Sequence, residues 1–442
     1  MNNPSPSPQE GPHLLFLSAA DDEALMQRAG RLAEDLAVDA PPSLVDLCSG
    51  AAKEVSGSSR PLPSALALVA QDIEQAATRL AKFSQRGKAP GTASGCRRTD
   101  EACARTVFLF TGQGSQYAGM GRELYQREAI FRRAVDRCVG VLDGELETKL
   151  LDVVFADDEA RARLINQTAY TQPALFVLEY ALAQLFISWG MKPDGVLGHS
   201  IGEYAAAVVA GVMELESALR IVVKRGALMQ ALPAGGKMAA IFSDEAHVLP
   251  LLADKQESLS LAAVNGPTNT VISGEGAALD ALCASLSAQE IEYRELVVSH
   301  AFHSPLMEPM LDEFEQFVGQ FVLKSPTIPL YSNVSGKLAG DEVTHPRYWR
   351  DHIRGAVRYA DCVLAATEEG QGVLVEVGPQ PVLLGMAQPL LDEREEWISA
   401  PSLRRGKPER ASALQAAARY VVSGEALHWE ALGLGGAATF EE

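Results

Sequence analysis

Apolar and polar positions divide the chain into stretches of different period. HLLFLSA (13–19) is a short apolar run that predicts a strand. Behind it, DDEALMQRAGRLAEDLA places Leu25, Ala29, Leu32 and Leu36 on one helical face after an acidic start that suits a helix N-terminus. SLVDLCSGAAKEV and QDIEQAATRLAKF predict two more helices, with SALALVA (64–70) as a strand between them. Residues 86–104 are rich in Gly, Ser, Thr and charge, which predicts a linker and a boundary near residue 104. Beyond it, TVFLFTGQGSQ is an apolar strand running into a Gly-rich turn, and residues 171–189 form a helix apolar on all sides, hence buried. DGVLGHSIGEYAAAVVAGVM follows as strand, sharp turn and helix, and this alternation implies an α/β core.

The pattern changes at 236–299. KMAAIF predicts a strand, DEAHVLPLLAD a helix, SLSLAAVNG and NTVISG two strands, EGAALDALCASLSAQ a helix and EYRELVVS a last strand. That order, βαββαβ, is the ferredoxin-like unit, here inserted into the α/β core. The core resumes near 300 with IPLYSNVSG and GVLVEVGP as later strands, and ALQAAARYVVSG with LHWEAL predicts a trailing helix packed back on the body. The expected organisation is a disordered Pro/Ser/Asn-rich start (1–12), a small α+β domain (13–104), an α/β core in two parts (105–235 and 300–391), the ferredoxin-like insertion (236–299) and a trailing segment (392–442). With 442 residues, 47% of them hydrophobic, the chain is long enough to bury a core without metals or disulfides.

Charge narrows the choice of partner. Thirty-eight basic against 57 acidic residues leaves −19, which argues against nucleic acid or an anionic membrane as the main partner. Any anionic substrate must then be met by local basic residues. Six scattered cysteines without a CxxC pair suit thiols in a reducing compartment. MNNPSPSPQEGP lacks the basic and apolar regions of a signal peptide, and no run of 18 apolar residues occurs, so the expectation is a soluble cytoplasmic protein.

The sharpest chemical signal is Gly198-His199-Ser200-Ile201-Gly202 between a predicted strand and helix. A G-x-S-x-G turn there forces the serine into a tight elbow that exposes its hydroxyl, and the Ile201 N–H can face a developing oxyanion. A base has to come from eight histidines. His13 and His428 lie in terminal elements; His247, His345 and His352 are expected on solvated polar segments; His199 adjoins the serine and more simply shapes the turn. His300 and His303 remain, in SHAFHS where the insertion rejoins the core, and the pattern alone leaves both open. No acid stands out between Ser200 and His303, and the long remainder after His303 fits an ordinary α/β-hydrolase poorly. Gly112-Gln113-Gly114-Ser115-Gln116 follows a strand, where a turn can offer N–H groups to an anion, although it is neither a Walker A loop nor G-x-G-x-x-G. Arg225 interrupts an otherwise apolar helix, as either a structural ion pair or a clamp for a substrate carboxylate.

Taken together, FTGQGSQYAGMGREL, YTQPALFVLEYAL, GHSIGEYAAAVVAG, KRGALMQ, AVNGP, HAFHSPLMEPM, YSNVSG and VEVGPQPVL, in this order over about 107–385, resemble the acyltransferase domain of polyketide synthases, akin to malonyl-CoA:acyl carrier protein transacylases. Residues 13–100 resemble the linker domain that precedes this acyltransferase in modular synthases, and SLRRG onward its post-acyltransferase linker. The resemblance implies Ser200 as acylated nucleophile, His303 as general base oriented by a backbone carbonyl, Gln113 and Ile201 N–H groups as oxyanion hole, and Arg225 as holder of the extender carboxylate. Gln172 and Asn265 match positions near the pocket without an assigned role. It further implies no bound cofactor or metal, malonyl-CoA as donor and the phosphopantetheine of an acyl carrier protein as acceptor.

HAFH with Phe302, Ile201 after the serine, and QTAYTQ upstream resemble malonyl-selective rather than methylmalonyl-selective sequences. No ketosynthase stretch precedes and no carrier stretch follows, so a stand-alone enzyme acting in trans is expected over an excised fragment. Arg347, Arg350, Arg354 and Arg358 recur at helix-like spacing; they form either a patch for the carrier or CoA phosphates, or an internally paired face. The competing functions are a proofreading hydrolase that clears stalled acyl groups, which has no use for Arg225, and a non-catalytic docking module.

Overall fold

The computed structural model describes residues 11–38, 40–56, 62–96, 104–368, 370–392 and 397–434. The start expected to be disordered lies, up to residue 10, outside the described residues. Strands β1 (His13–Ala19), β2 (Ser64–Ala70) and β3 (Thr92–Cys96) form an antiparallel sheet in that order. Helices Asp22–Asp35, Leu44–Ser56 and Ile73–Arg86 complete this domain. The acidic start read for the first helix is a true cap, the Asp21 side chain accepting from Ala24 N (2.8 Å), and Asp72 caps the third helix in the same way by accepting from Gln75 N (2.7 Å). β3 falls inside the stretch expected to be a linker. Its small residues carry no apolar alternation, and they pair because the helix Glu409–Val422 lies on them; a Cβ at Gly95 would stand 2.8 Å from the Val422 carbonyl oxygen.

The core sheet starts with β4 (Arg105–Phe110) and β5 (Gly195–Gly198). The insertion β6 (Gly236–Ile241), β7 (Leu259–Gly266), β8 (Asn269–Glu275) and β9 (Tyr293–Leu296) comes next, and β10 (Leu330–Tyr331), β11 (Gly372–Val377) and β12 (Trp397–Pro401) complete the core. Core strands run β10-β5-β4-β11-β12, all parallel, so their carboxyl ends share one edge. Apolar residues on both faces suit a parallel sheet covered by helices, among them Thr168–Ser188, buried along almost its whole length. β12 lies in the stretch expected to be a trailing linker, yet it is the fifth strand of the core. The trailing helix ends at Val422, short of LHWEAL, which forms turns held by buried Leu427 and Trp429.

The insertion has the expected element order, with strand order β7-β8-β6-β9, antiparallel throughout, and helices Glu245–Leu252 and Gly276–Ala288 packed on it. Its two connections to the core touch: His300 Nε2 donates to the Leu232 carbonyl (3.1 Å), and a Cβ at Gly236 would meet Ala301 Cβ at 2.6 Å. Among the described residues no helix is long and apolar enough to cross a membrane.

Candidate active site

In open parallel sheets, ligands gather beyond the carboxyl ends of the strands. β5 ends there at Gly198, and the helix Gly202–Val209 begins four residues later. The turn between them demands both glycines. A Cβ at Gly198 would lie 2.1 Å from Glu203 N, and one at Gly202 2.2 Å from the Phe110 carbonyl oxygen. Ser200 at its apex has φ +52°. Among the described residues only Ser200, Glu290 and His303 are non-glycines with positive φ. Two of the three meet: Ser200 Oγ lies 2.8 Å from His303 Nε2.

His303 Nδ1 is 2.9 Å from the Gly355 carbonyl oxygen. A carbonyl only accepts, so Nδ1 carries the proton and Nε2 accepts from the serine hydroxyl. Burial holds the His303 imidazole well below the ordinary histidine range, and Arg225, His352 and His199 add to the effect. A neutral ring against a serine hydroxyl is the arrangement that a nucleophile–base pair requires. His300 is not at the serine, since its Nδ1 is bonded to Ser299 Oγ and its Nε2 to Leu232. His199 turns away; its Nε2 meets Asn265 Oδ1 at 2.9 Å, tying the elbow to the insertion, and Gly112 leaves room for its ring.

Arg225, on the helix Leu215–Gln230, is 2% exposed. Its Nη2 donates to Ser200 Oγ (3.1 Å) and its Nη1 to Gln172 Oε1 (2.7 Å), while the guanidinium lies 5.4 Å from the Tyr204 ring. Its Nε is buried without a hydrogen-bond partner, and no ion pair joins it to a carboxylate among the described residues. Burial lowers its pKa. Gln172 donates to Thr168 Oγ1 (2.8 Å), which donates to Gln113 Oε1 (3.0 Å), so hydrogen bonds link Arg225 to the Gly-rich turn. No acceptor is found for the backbone N–H of Gln113 or Ile201 among the described residues, which leaves both available to an oxyanion. Phe302 is half-buried, packed against both large apolar clusters beside His303.

Sequence reasoning assigned no role to Asn333 or Glu203. Asn333 accepts from Ser200 N and donates from Nδ2 to the Gly198 carbonyl, each at 2.8 Å, spanning the elbow. Its own N–H donates to Glu203 Oε2 (2.7 Å), and Tyr348 donates to the other Glu203 oxygen. Both residues lay in quoted motifs, but an Asn after a short strand carries the local signal of a turn former. His352, expected on a solvated segment, is 2% exposed, 3.6 Å from Glu203 and edge-on to the His303 ring. The amphipathic helix Pro346–Arg354 turns it inward.

The arginine stripe is an internally paired face. Arg347 meets Asp351 (3.0 Å), Arg350 meets Asp312 and Glu315, Arg354 meets Glu308 (3.1 Å), and Arg358 meets Glu245 (2.6 Å) and Asp361 (2.5 Å). Among the described residues no cluster of three His, Cys, Asp or Glu is placed to hold a metal.

With the site in view, residues 107–426 match the family model of the acyl transferase domain. This chain belongs to the acyl transferase domain family. It is 46% identical over 337 residues to the mycoketide-CoA synthase of Mycobacterium tuberculosis, covering 76% of this chain and 8% of that protein. It is 39% identical over 425 residues to the phenolphthiocerol synthesis polyketide synthase type I Pks15/1 of Mycobacterium marinum, covering 96% and 20%. The acyl transferase therefore spans a fifth or less of the length of these curated relatives. Among solved structures, the acyltransferase domain from the second module of the salinomycin polyketide synthase superposes with TM-score 0.78 at 39% identity, over 94% of each chain. The malonyl CoA-acyl carrier protein transacylase from Clostridium perfringens gives 0.63 at 25% identity, over 68% of this chain and 94% of its own. The α/β core with its ferredoxin-like insertion is the fold of polyketide synthase acyltransferase domains.

Proposed function

We propose that this acyl transferase moves malonyl units from malonyl-CoA to the phosphopantetheine thiol of an acyl carrier protein, in polyketide biosynthesis, through an acyl-Ser200 intermediate. The observation that carries the reading is Arg225: a buried guanidinium beside the serine hydroxyl, with a free N–H and no carboxylate partner among the described residues. A buried cation in that state is complementary to a substrate carboxylate, and the malonyl group supplies one.

In the first half-reaction Ser200 Oγ attacks the thioester carbonyl as its proton passes to His303 Nε2. The resulting oxyanion is held by the Gln113 and Ile201 N–H groups. Collapse breaks the C–S bond, and the departing CoA sulfur takes the proton back from His303. In the second half-reaction the carrier's thiol attacks the malonyl-serine ester, with His303 acting again as base and then as acid. Phe302, Ile201 and QTAYTQ support malonyl over methylmalonyl. Discriminating one methyl by shape is worth about 1–3 kcal/mol, so the preference is graded. Action in trans on a carrier offered as a separate protein, in the cytoplasm, is part of the same proposal.

Intact mass after competition among malonyl-CoA, methylmalonyl-CoA and acetyl-CoA tests the reading. A malonyl adduct is expected, absent from Ser200→Ala and passed on to a holo-carrier. Arg225→Ala, losing a charge-assisted bond of about 1.5–3 kcal/mol, is expected to cost malonyl roughly 10- to 150-fold relative to acetyl. Rapid loss of the adduct to water, with stripping of acyl-carriers, would favour a hydrolase instead.

A further inference from the structure

Since the arginine stripe is neutralised by its own carboxylates, an acidic partner has to be received elsewhere. The trailing helix and the small N-terminal domain enclose a groove of about 560 Å³ lined by Arg79, Arg404, Lys407 and Arg419, with Gln75 and Gln415 between them and no Asp or Glu in the lining. In a chain of net charge −19 the lining itself carries one sign, with Asp72 and Glu74 standing in the adjoining pocket that shares Gln75 and Arg79. None of the four cations has an ion-pair partner among the described residues. Asp72 acts on Arg79 and Glu376 feels Arg404, both beyond ion-pair reach. Arg79 and Arg419 are instead tied down by the backbone carbonyls of Val69 and Ser399, which keeps their charge unspent. Arg404 and Lys407 stand exposed at the rim.

The groove is also in the right place. The loop bearing Arg404 and Lys407 leaves the carboxyl end of β12, and Ser200 stands at the carboxyl end of β5 on the same edge. Three inter-strand steps, about 14 Å, separate those strands. Gly378 N donates to Ser402 Oγ (3.0 Å), and the Arg405 guanidinium lies 5.4 Å from the Tyr117 ring, four residues after Gln113. A partner seated in the groove therefore faces the edge that presents the serine.

We infer that this groove docks an acidic acyl carrier protein so that its thiol-bearing arm reaches Ser200. The inference rests on the proposed transfer reaction. A protein fits better than a small anion, because the cations are spread over two domains and two of them project into solvent, the arrangement that steers an oppositely charged surface.

The test is the double reversal Arg404→Glu/Lys407→Glu, set beside the charge-conserving Arg404→Lys/Lys407→Arg, with thermal melts to confirm that both fold. The expected result is unchanged acylation of Ser200 by malonyl-CoA and unchanged transfer to the small thiol N-acetylcysteamine. For a negatively charged holo acyl carrier protein, KM should rise by about tenfold or more and lose most of its salt dependence, while the conserving pair stays near the parent. An unchanged carrier KM would overturn the inference and leave the groove to another domain of a longer polypeptide. So would an equal rise in the KM for malonyl-CoA, which would mark a phosphate site. If the unaltered protein forms no acyl-serine, the proposed reaction itself has failed. Docking is then judged by titrating labelled holo-carrier against Ser200→Ala with and without the reversal, and binding indifferent to the reversal overturns it.

Discussion

Ser200 and His303 both sit at positive φ, a conformation that costs non-glycine residues about 1–3 kcal/mol each and persists only where neighbours over-determine it. Asn333 is the neighbour that does so at the serine, bonding the Gly198 carbonyl and the Ser200 N–H on the strand side of the apex. Asn333→Ala is expected to lower kcat for acyl-serine formation by roughly 10- to 100-fold, about 1.4–2.8 kcal/mol, with KM little changed. A loss confined to KM would contradict this positioning role. The His303 environment makes a pH prediction. Burial and the Arg225 charge disfavour the imidazolium, so the proposed base stays neutral well below the ordinary value of about 6.5. Quenched-flow acylation from pH 5 to 8 is expected to place the acidic limb of kcat/KM below that value; a limb at 6.5 would be the contrary result.

At the scale of elements, two buried glutamates close the starts of neighbouring helices, one of them across a gap of more than 280 residues. Glu409, at the start of the trailing helix, accepts from Gly121 N (2.7 Å), Glu123 N (2.9 Å) and Leu124 N (3.2 Å), and the Glu409 N–H donates back to Glu123 Oε2 (2.6 Å). This is a reciprocal cap between two helices rather than within one. Glu409→Ala leaves three amides without an acceptor and is expected to cost about 2–4 kcal/mol in urea unfolding; a change under 0.5 would refute the cap. Glu376, on β11, accepts from Leu383 N and Leu384 N, each at 2.8 Å. Burial pushes its carboxyl up to about 7, and burial raises that of Glu179 as well. The folded chain thus keeps a proton that an unfolded carboxyl, near 4.3, gives up. The Glu376 contribution is intact below about pH 4 and is lost as pH rises towards 7. Melting temperatures are expected to fall between pH 5 and 8, and Glu376→Gln to flatten that slope.

Across the whole molecule, the helix Glu409–Val422 joins the two sheets, packing on β2 and β3 of the small domain and on β12 of the core. Charge is used differently on two surfaces: the core's arginine stripe is spent on internal pairs, whereas the groove where the trailing segment meets the small domain is lined by Arg79, Arg404, Lys407 and Arg419 without an ion pair among the described residues. Ending the chain at Pro408 strips the cover from β2 and β3 and uncaps the amides of 121–124. The expected result is aggregation in size-exclusion chromatography and loss of a cooperative melt. A truncated chain that still melts like the parent would show that the small domain and core hold together without it.

What the sequence determined by itself was whatever consecutive residues encode. The elbow Gly198–Gly202 needs two glycines around a serine, Asp21 and Asp72 announce their helices, and the βαββαβ order of 236–299 follows from alternating periods within each short run. β3 and β12 escaped because small or mixed residues become strands only when a neighbour supplies hydrogen bonds and cover. Tertiary structure alone decided which histidine meets Ser200, that the Gly355 carbonyl sets its tautomer, that Asn333 braces the elbow, and which arginines are spent on carboxylates. The contacts of Ser200, His303 and Asn333 join residues 52 to 135 positions apart in the chain and those of the arginines reach up to 113, and hydrophobic periodicity reports only which way a side chain faces, never what it faces.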